Sequence, residues 1–186
     1  NGIPQINIQT PNAAGLSHNQ YQQFDVDKRG AIVNNGQAPS QTQLGGWVTG
    51  NPKLAGSGPA KVILNEVNSP KQSVLQGFLE VAGTKAHVVV ANPSGITCNG
   101  CGFINAHRAS LSTGIPQVNS AGVLEHLLVE EGTISIESDL GLDPHTATNY
   151  DIISRSVRLA GKLRADKVRV VAGAGDLNTQ TGKVRL

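Results

Sequence analysis

Short runs that alternate apolar and polar residues, each cut off by a turn signal, recur along the whole 186-residue chain. Gln5-Ile6-Asn7-Ile8-Gln9 alternates cleanly, and His87 to Val90, Thr133 to Ile136, Ser156 to Leu159 and Lys167 to Val170 read the same way. Successive side chains of an extended chain point to opposite faces, so each run predicts a strand with one buried face. Asn34-Asn35-Gly36, Asn51-Pro52, Ser69-Pro70, Asn92-Pro93-Ser94-Gly95, Asn99-Gly100, Gly141 and Gly173 separate such runs with Pro-fixed or left-handed turns. No amphipathic helical pattern persists for three turns. The ambiguous stretch is Gly122 to Glu131, where Leu124, Leu127 and Leu128 fit helical spacing while the flanking runs argue for strand.

Two all-β architectures suit short strands at this spacing, a sandwich and a parallel β-helix. A sandwich fills the space between its sheets with large aromatics, and this chain has one Trp, three Phe and two Tyr. A β-helix has a narrow interior suited to Val, Ile, Leu and Ala, with Asn at turns where amides hydrogen-bond from coil to coil. The 15 Asn and the scarcity of aromatics favour the β-helix. In the C-terminal third, Val157, Leu159, Val168 and Val170 are the predicted inner face. Arg155, Arg158, Lys162, Arg164, Lys167 and Arg169 are the predicted solvent face.

Charge excludes some functions. Charged residues make up 15% of the chain, against roughly 25% in an average domain. The net charge of +2 gives no field for nucleic acid, and few aromatics stand near the late basic residues to stack on bases. No run approaches the roughly 18 apolar residues of a membrane helix. The absence of Met predicts a processed or excised piece of a longer protein.

Cys98-Asn99-Gly100-Cys101 is the sharpest local feature. It admits a structural disulfide, free thiols, or metal or redox chemistry. Zinc needs two more ligands, and the five His, at 18, 87, 107, 126 and 145, are scattered. A disulfide is the expectation for an oxidising compartment. The acid pairs Asp25/Asp27, Glu130/Glu131 and Asp139/Asp143 could serve polysaccharide cleavage, but solvated turn carboxylates are the expected reading. Gly56 to Lys61 lacks the Gly-Lys-Ser/Thr ending of a phosphate loop, and Ser110 lacks a nucleophile-elbow context. No metal or cofactor is expected.

Several ordered motifs then point to one family. Gly50-Asn51-Pro52-Lys53-Leu54 resembles the Asn-Pro-Asn-Leu motif of two-partner-secretion domains, and Ala91-Asn92-Pro93-Ser94-Gly95-Ile96 resembles their Asn-Pro-Asn-Gly-Ile motif. Ala14 to Tyr21 with Phe24, Val62 to Val67, Gly77 to Gly83 and Cys101 to Asn105 also resemble that domain. The likeness runs from about Ile6 to about Leu177. The Cys98/Cys101 pair is similar to the cytolysin and contact-dependent growth-inhibition branch, with filamentous haemagglutinin-type adhesins more distant. Lys53 and Ser94 depart from the motifs, each standing where Asn is usual.

The resemblance implies a right-handed parallel β-helix with an N-terminal cap and small extra-helical sheets, as one domain over residues 1–186 cut from a longer β-helix. It implies a non-enzymatic, monomeric secretion domain of a large bacterial exoprotein, exported through the periplasm to the cell surface or beyond. The expected partner is an outer-membrane TpsB-type β-barrel transporter, met through its POTRA domains. Asn51, Pro52, Leu54, Asn92, Pro93, Gly95 and Ile96 are the expected recognition or fold motifs. A carbohydrate-binding adhesin or polysaccharide-active β-helix fragment is the alternative.

Overall fold

Strands of two to seven residues can satisfy their backbone only by pairing with strands elsewhere in the chain. The computed structural model describes residues 2–140 and 147–186. The turn Gly141, the acid Asp143 and the imidazole of His145 lie outside the described residues.

Three sheets of parallel strands form the faces of a β-helix. The first is ordered Gln5–Asn7, Ala31–Asn35, Phe78–Gly83, Gly102–Ile104. The second is ordered Ser73–Leu75, Ile96–Cys98, Thr133–Ile136, Ser156–Leu159. The third is ordered Leu16–Tyr21, Val62–Val67, Ala86–Ala91, Ala106–Ser112, Asn149–Ser154, Lys167–Ala172. Ser73–Leu75, Phe78–Gly83 and Ala86–Ala91 make one coil, and Ile96–Cys98, Gly102–Ile104 and Ala106–Ser112 stack on it as the next.

In-register pairing aligns like residues in columns. On the third face Ile63, Val88, Ala109 and Tyr150 stand one above the other and point inward, as do Val90, Leu111 and Ile152 beside them. Aliphatics fill most of the interior, with Phe24, Phe103 and Tyr150 packed among them. The predicted inner residues Val168 and Val170 do continue these columns. They are nevertheless 37% and 41% exposed, and Leu159 is 48% exposed, because each sits on the last strand of its sheet.

Asparagines link the coils more directly than expected, reaching backbone carbonyls as well as other amides. At the corners, Asn35 Nδ2 donates to Ala60 O (3.0 Å) and Thr84 O (2.8 Å). Asn105 Nδ2 donates to Val81 O (2.8 Å) and Gly83 O (3.0 Å), with Asn105 itself left-handed at φ 60°. Inside the helix, Asn19 and Asn65 are stacked in register and bond to the carbonyls of Leu64 and Val89.

Two antiparallel sheets lie outside the coils. The hairpin Ser40–Thr42/Gly46–Val48 is tied to the first face by Glu80, whose buried carboxylate accepts from the backbone N–H of Gln43 (2.9 Å) and Leu44 (2.8 Å). The other sheet, ordered Ile115–Val118, Leu124–Val129, Gly175–Asn178, Val184–Arg185, covers the outer side of the third face. Leu124 packs on Leu16, Leu64, Val89 and Ala91, and Leu127 and Val129 pack with Ile153 and Leu177. The Gly122 to Glu131 stretch is therefore a strand. Burial against two neighbouring strands and a sheet overrides its helical spacing.

This cover also buries charge. Arg108 donates from Nε and Nη2 to Asp151 (2.6 and 2.7 Å), and Ser110 Oγ donates to Asp151 Oδ2 at 2.7 Å. His87 Nε2 is 2.8 Å from Ser110 Oγ. Burial pushes the His87 pKa down to about 4, and the Arg108 charge adds to the effect. Burial alone would raise the Asp151 carboxyl, but the Arg108 and Ser110 hydrogen bonds outweigh it and hold the pKa below the ordinary value.

Acidification is expected to weaken the fold. The unfolded chain protonates His87 near its ordinary 6.5 while the folded site resists until about 4. Stability should fall as pH drops through that window, by up to about 3 kcal/mol, and fall further below it as Asp151 is protonated. Urea melts across the window check this, and His87→Gln should flatten the fall above pH 4.

Candidate functional site

The two Asn-Pro turns share one construction. Asn51 is 1% exposed and Asn92 is 0% exposed. Each side-chain Oδ1 accepts from the backbone N–H two residues on, Lys53 N at 3.0 Å and Ser94 N at 3.0 Å. Each backbone carbonyl accepts from the N–H three residues on, Leu54 N at 3.1 Å and Gly95 N at 3.0 Å. Each Nδ2 bridges two other segments. Asn51 donates to Ile8 O and Asn34 O, both at 3.0 Å. Asn92 donates to Lys71 O and Ser73 Oγ, both at 2.9 Å.

Proline at the second position presets the turn and needs no N–H partner. Pro52 opens the 3-10 turn Pro52–Leu54, and Leu54 is buried in the core. Pro93 follows the strand Ala86–Ala91, and Ile96 begins Ile96–Cys98 with its side chain 1% exposed. Gly95 holds φ 121°, and a Cβ there would lie 3.1 Å from Thr133 O. The third positions, Lys53 and Ser94, engage the asparagine through their backbone N–H alone. That explains why the construction survives without the usual Asn at either place.

The Cys98 and Cys101 sulfurs are bonded to one another, with both residues buried in the core of the coil stack. Asp25 accepts from Val74 N at 2.8 Å, and Asp27 pairs with Arg29 at 2.7 Å. Glu130 and Glu131 are exposed, and Asp139 accepts from Lys162 N at 3.0 Å. Asp25 and Asp139 each hold a backbone N–H of a distant segment, Asp27 pairs within its own turn, and Glu130 and Glu131 face water. Asp25 and Asp27 are exposed on either side of the buried Val26, which makes an isolated parallel bridge to Leu75.

Register gathers one cluster that linear spacing hides. Ser110 and Asp151 are 41 residues apart, yet they are cross-strand neighbours, and Arg169 is the next in that column. Arg169, expected on the solvent face, is half-buried and lines a cavity of about 150 Å³ beneath the antiparallel sheet. The only sequence signal is a polar residue at the same point of successive strands. Ser110 stands between His87 and Asp151, whereas nucleophilic catalysis needs the imidazole in the middle.

Replacing Asn92 by Ala removes the partner of Lys71 O, Ser94 N and the buried Ser73 Oγ. The expected cost is about 3 kcal/mol, with Asn51→Ala close behind, checked by denaturant melts.

The family model for the TPS secretion domain matches residues 1–186. "Toxin CdiA" of Yersinia pestis is 52% identical over 178 residues, covering 96% of this chain and 5% of that protein. "Toxin CdiA" of Escherichia coli is 48% identical over 185 residues, covering 99% of this chain and 6% of that protein. The chain thus spans a small fraction of the length of these relatives. The crystal structure of the filamentous hemagglutinin secretion domain superposes with a TM-score of 0.91 at 36% identity, covering 100% of this chain and 63% of that one. Matched from end to end in sequence and in fold, the chain belongs to the TPS secretion domain family.

Proposed function

We propose that this domain commits a large exported toxin or adhesin to an outer-membrane TpsB-type β-barrel transporter, by way of that transporter's periplasmic POTRA domains. The domain itself performs no chemistry, acts as a monomer, and reaches the cell surface with the protein it leads. Outside, its stacked coils are the template on which further coils form.

The observation that carries this reading, beside the family match, is the burial of Asn51 and Asn92. In the folded domain their side chains are bonded to other parts of the chain and present nothing to a partner. A transporter that reads these two asparagine side chains directly must meet the chain before it folds. Extended segments such as Gln5 to Gln9 and Lys61 to Leu64 can then add to a POTRA sheet edge, main-chain bonds giving affinity and alternate side chains specificity. Folding first would place those same backbone groups in coil-to-coil ladders.

The test is binding of the isolated POTRA region to this domain, folded and unfolded, at matched low denaturant. Preference for the unfolded chain is expected, and tighter binding to the native β-helix would sink the mechanism. Gly95→Val should lower melting temperature and secretion together, since the added side chain meets a backbone carbonyl at positive φ. Secreted domain, denatured without reductant, should show no free thiol at Cys98 or Cys101.

A further inference from the structure

The cavity under the antiparallel sheet takes no part in the Asn-Pro turns. Most of its wall is apolar: Leu16, Val62 and Val89 from the third face, Val123, Leu124 and Leu127 from the covering segment. Its polar end holds Arg108, Asp151 and Arg169. Asp151 engages Nε and Nη2 of Arg108, and among the described residues Nη1 of Arg108 has no hydrogen-bond partner. Arg169 stands beside Asp151 in register, is half-buried, and makes no hydrogen bond or ion pair among the described residues. A guanidinium has donors only, so one partly withdrawn from water without an acceptor favours an anion.

Charge fixes the kind of anion. The single charge of Asp151 is offset by Arg108, and burial keeps His87 neutral at pH 7. One positive charge, that of Arg169, is therefore uncompensated beside an apolar wall. A dianion would leave excess negative charge next to Asp151. A neutral apolar molecule would leave Arg169 as it is.

We propose that this cavity binds a small amphiphilic carboxylate, its head between Arg169 and Nη1 of Arg108 and its apolar body against Val89, Leu124 and Leu127. A cavity of about 150 Å³ accommodates a benzene-sized body, about six carbons. The site is independent of the transporter, because it exists only once the third face and the antiparallel sheet have come together.

The test is titration of the ¹⁵N-labelled folded domain with hexanoate, 1-hexanol and acetate. Hexanoate should shift the amides of Val89, Leu124, Leu127 and Arg169, and bind at least about tenfold more tightly than either the uncharged alcohol or the bodiless acid. Arg169→Gln, on the last strand of its sheet, should weaken hexanoate about tenfold and leave hexanol unchanged. Val123→Phe should fill the apolar end and abolish hexanoate binding while the rest of the amide spectrum is kept. Absence of saturable hexanoate binding, shifts away from the cavity, or equal binding by Arg169→Gln would each overturn the proposal. Preferential binding of a capped Leu-Glu-Leu peptide would overturn the small-molecule assignment in favour of a protein carboxylate.

Discussion

No strand of a β-helix coil hydrogen-bonds within its own coil. The ladder of Ala86–Ala91 runs to Val62–Val67 on one side and Ala106–Ser112 on the other, so each coil exists as structure only when its neighbours do. Stability is then close to a sum of coil-to-coil terms, as in other solenoids. Everything else in this domain answers that constraint. The columns of Ile63, Val88, Ala109 and Tyr150 give each coil an apolar reason to sit in register. The corners keep successive coils the same shape.

Corners are the harder problem, because a turn inside a stack cannot rely on water for its backbone groups. Asn51 and Asn92 solve it with a short side chain that closes its own turn and bridges to two further segments. Asn35 and Asn105 bridge to other segments at the corners of the first face, Asn35 to Ala60 and Thr84 and Asn105 to Val81 and Gly83. These residues are thus mortar between segments distant in sequence. Their polar groups face inward, so the asparagines most conspicuous in the sequence are buried in the fold, while Pro52 and Lys53 stay exposed.

Much of this was legible in the residues. Period-two runs such as Thr133–Ile136 locate strands, Asn-Pro and Gly mark corners, and the lack of large side chains argues for a narrow interior. What escaped was whatever depends on which strand lies beside which. Leu124 and Leu127, three residues apart, both pack on the third face because the pairing with Ile115–Val118 shifts register between Val118↔Leu124 and Gln117↔His126. Arg108, Ser110, Asp151 and Arg169 come from three strands, and only register brings them to one spot. Glu80 is similarly opaque. Nothing around it in sequence says that its carboxylate holds a hairpin 36 to 37 residues upstream.

The antiparallel sheet imposes an order of events on a chain that emerges from its N-terminal end. Leu124–Val129 can pair at once with Ile115–Val118, but its other partner, Gly175–Asn178, arrives late: His126 and Asp176, which meet at 2.9 Å, are 50 residues apart. Until then two coils of the third face must assemble with their outer side uncovered. The late strand works as a ratchet pawl, dropping in behind coils already wound and making their unwinding cooperative with its own release. A stack that could otherwise fray one coil at a time is thereby locked as a block.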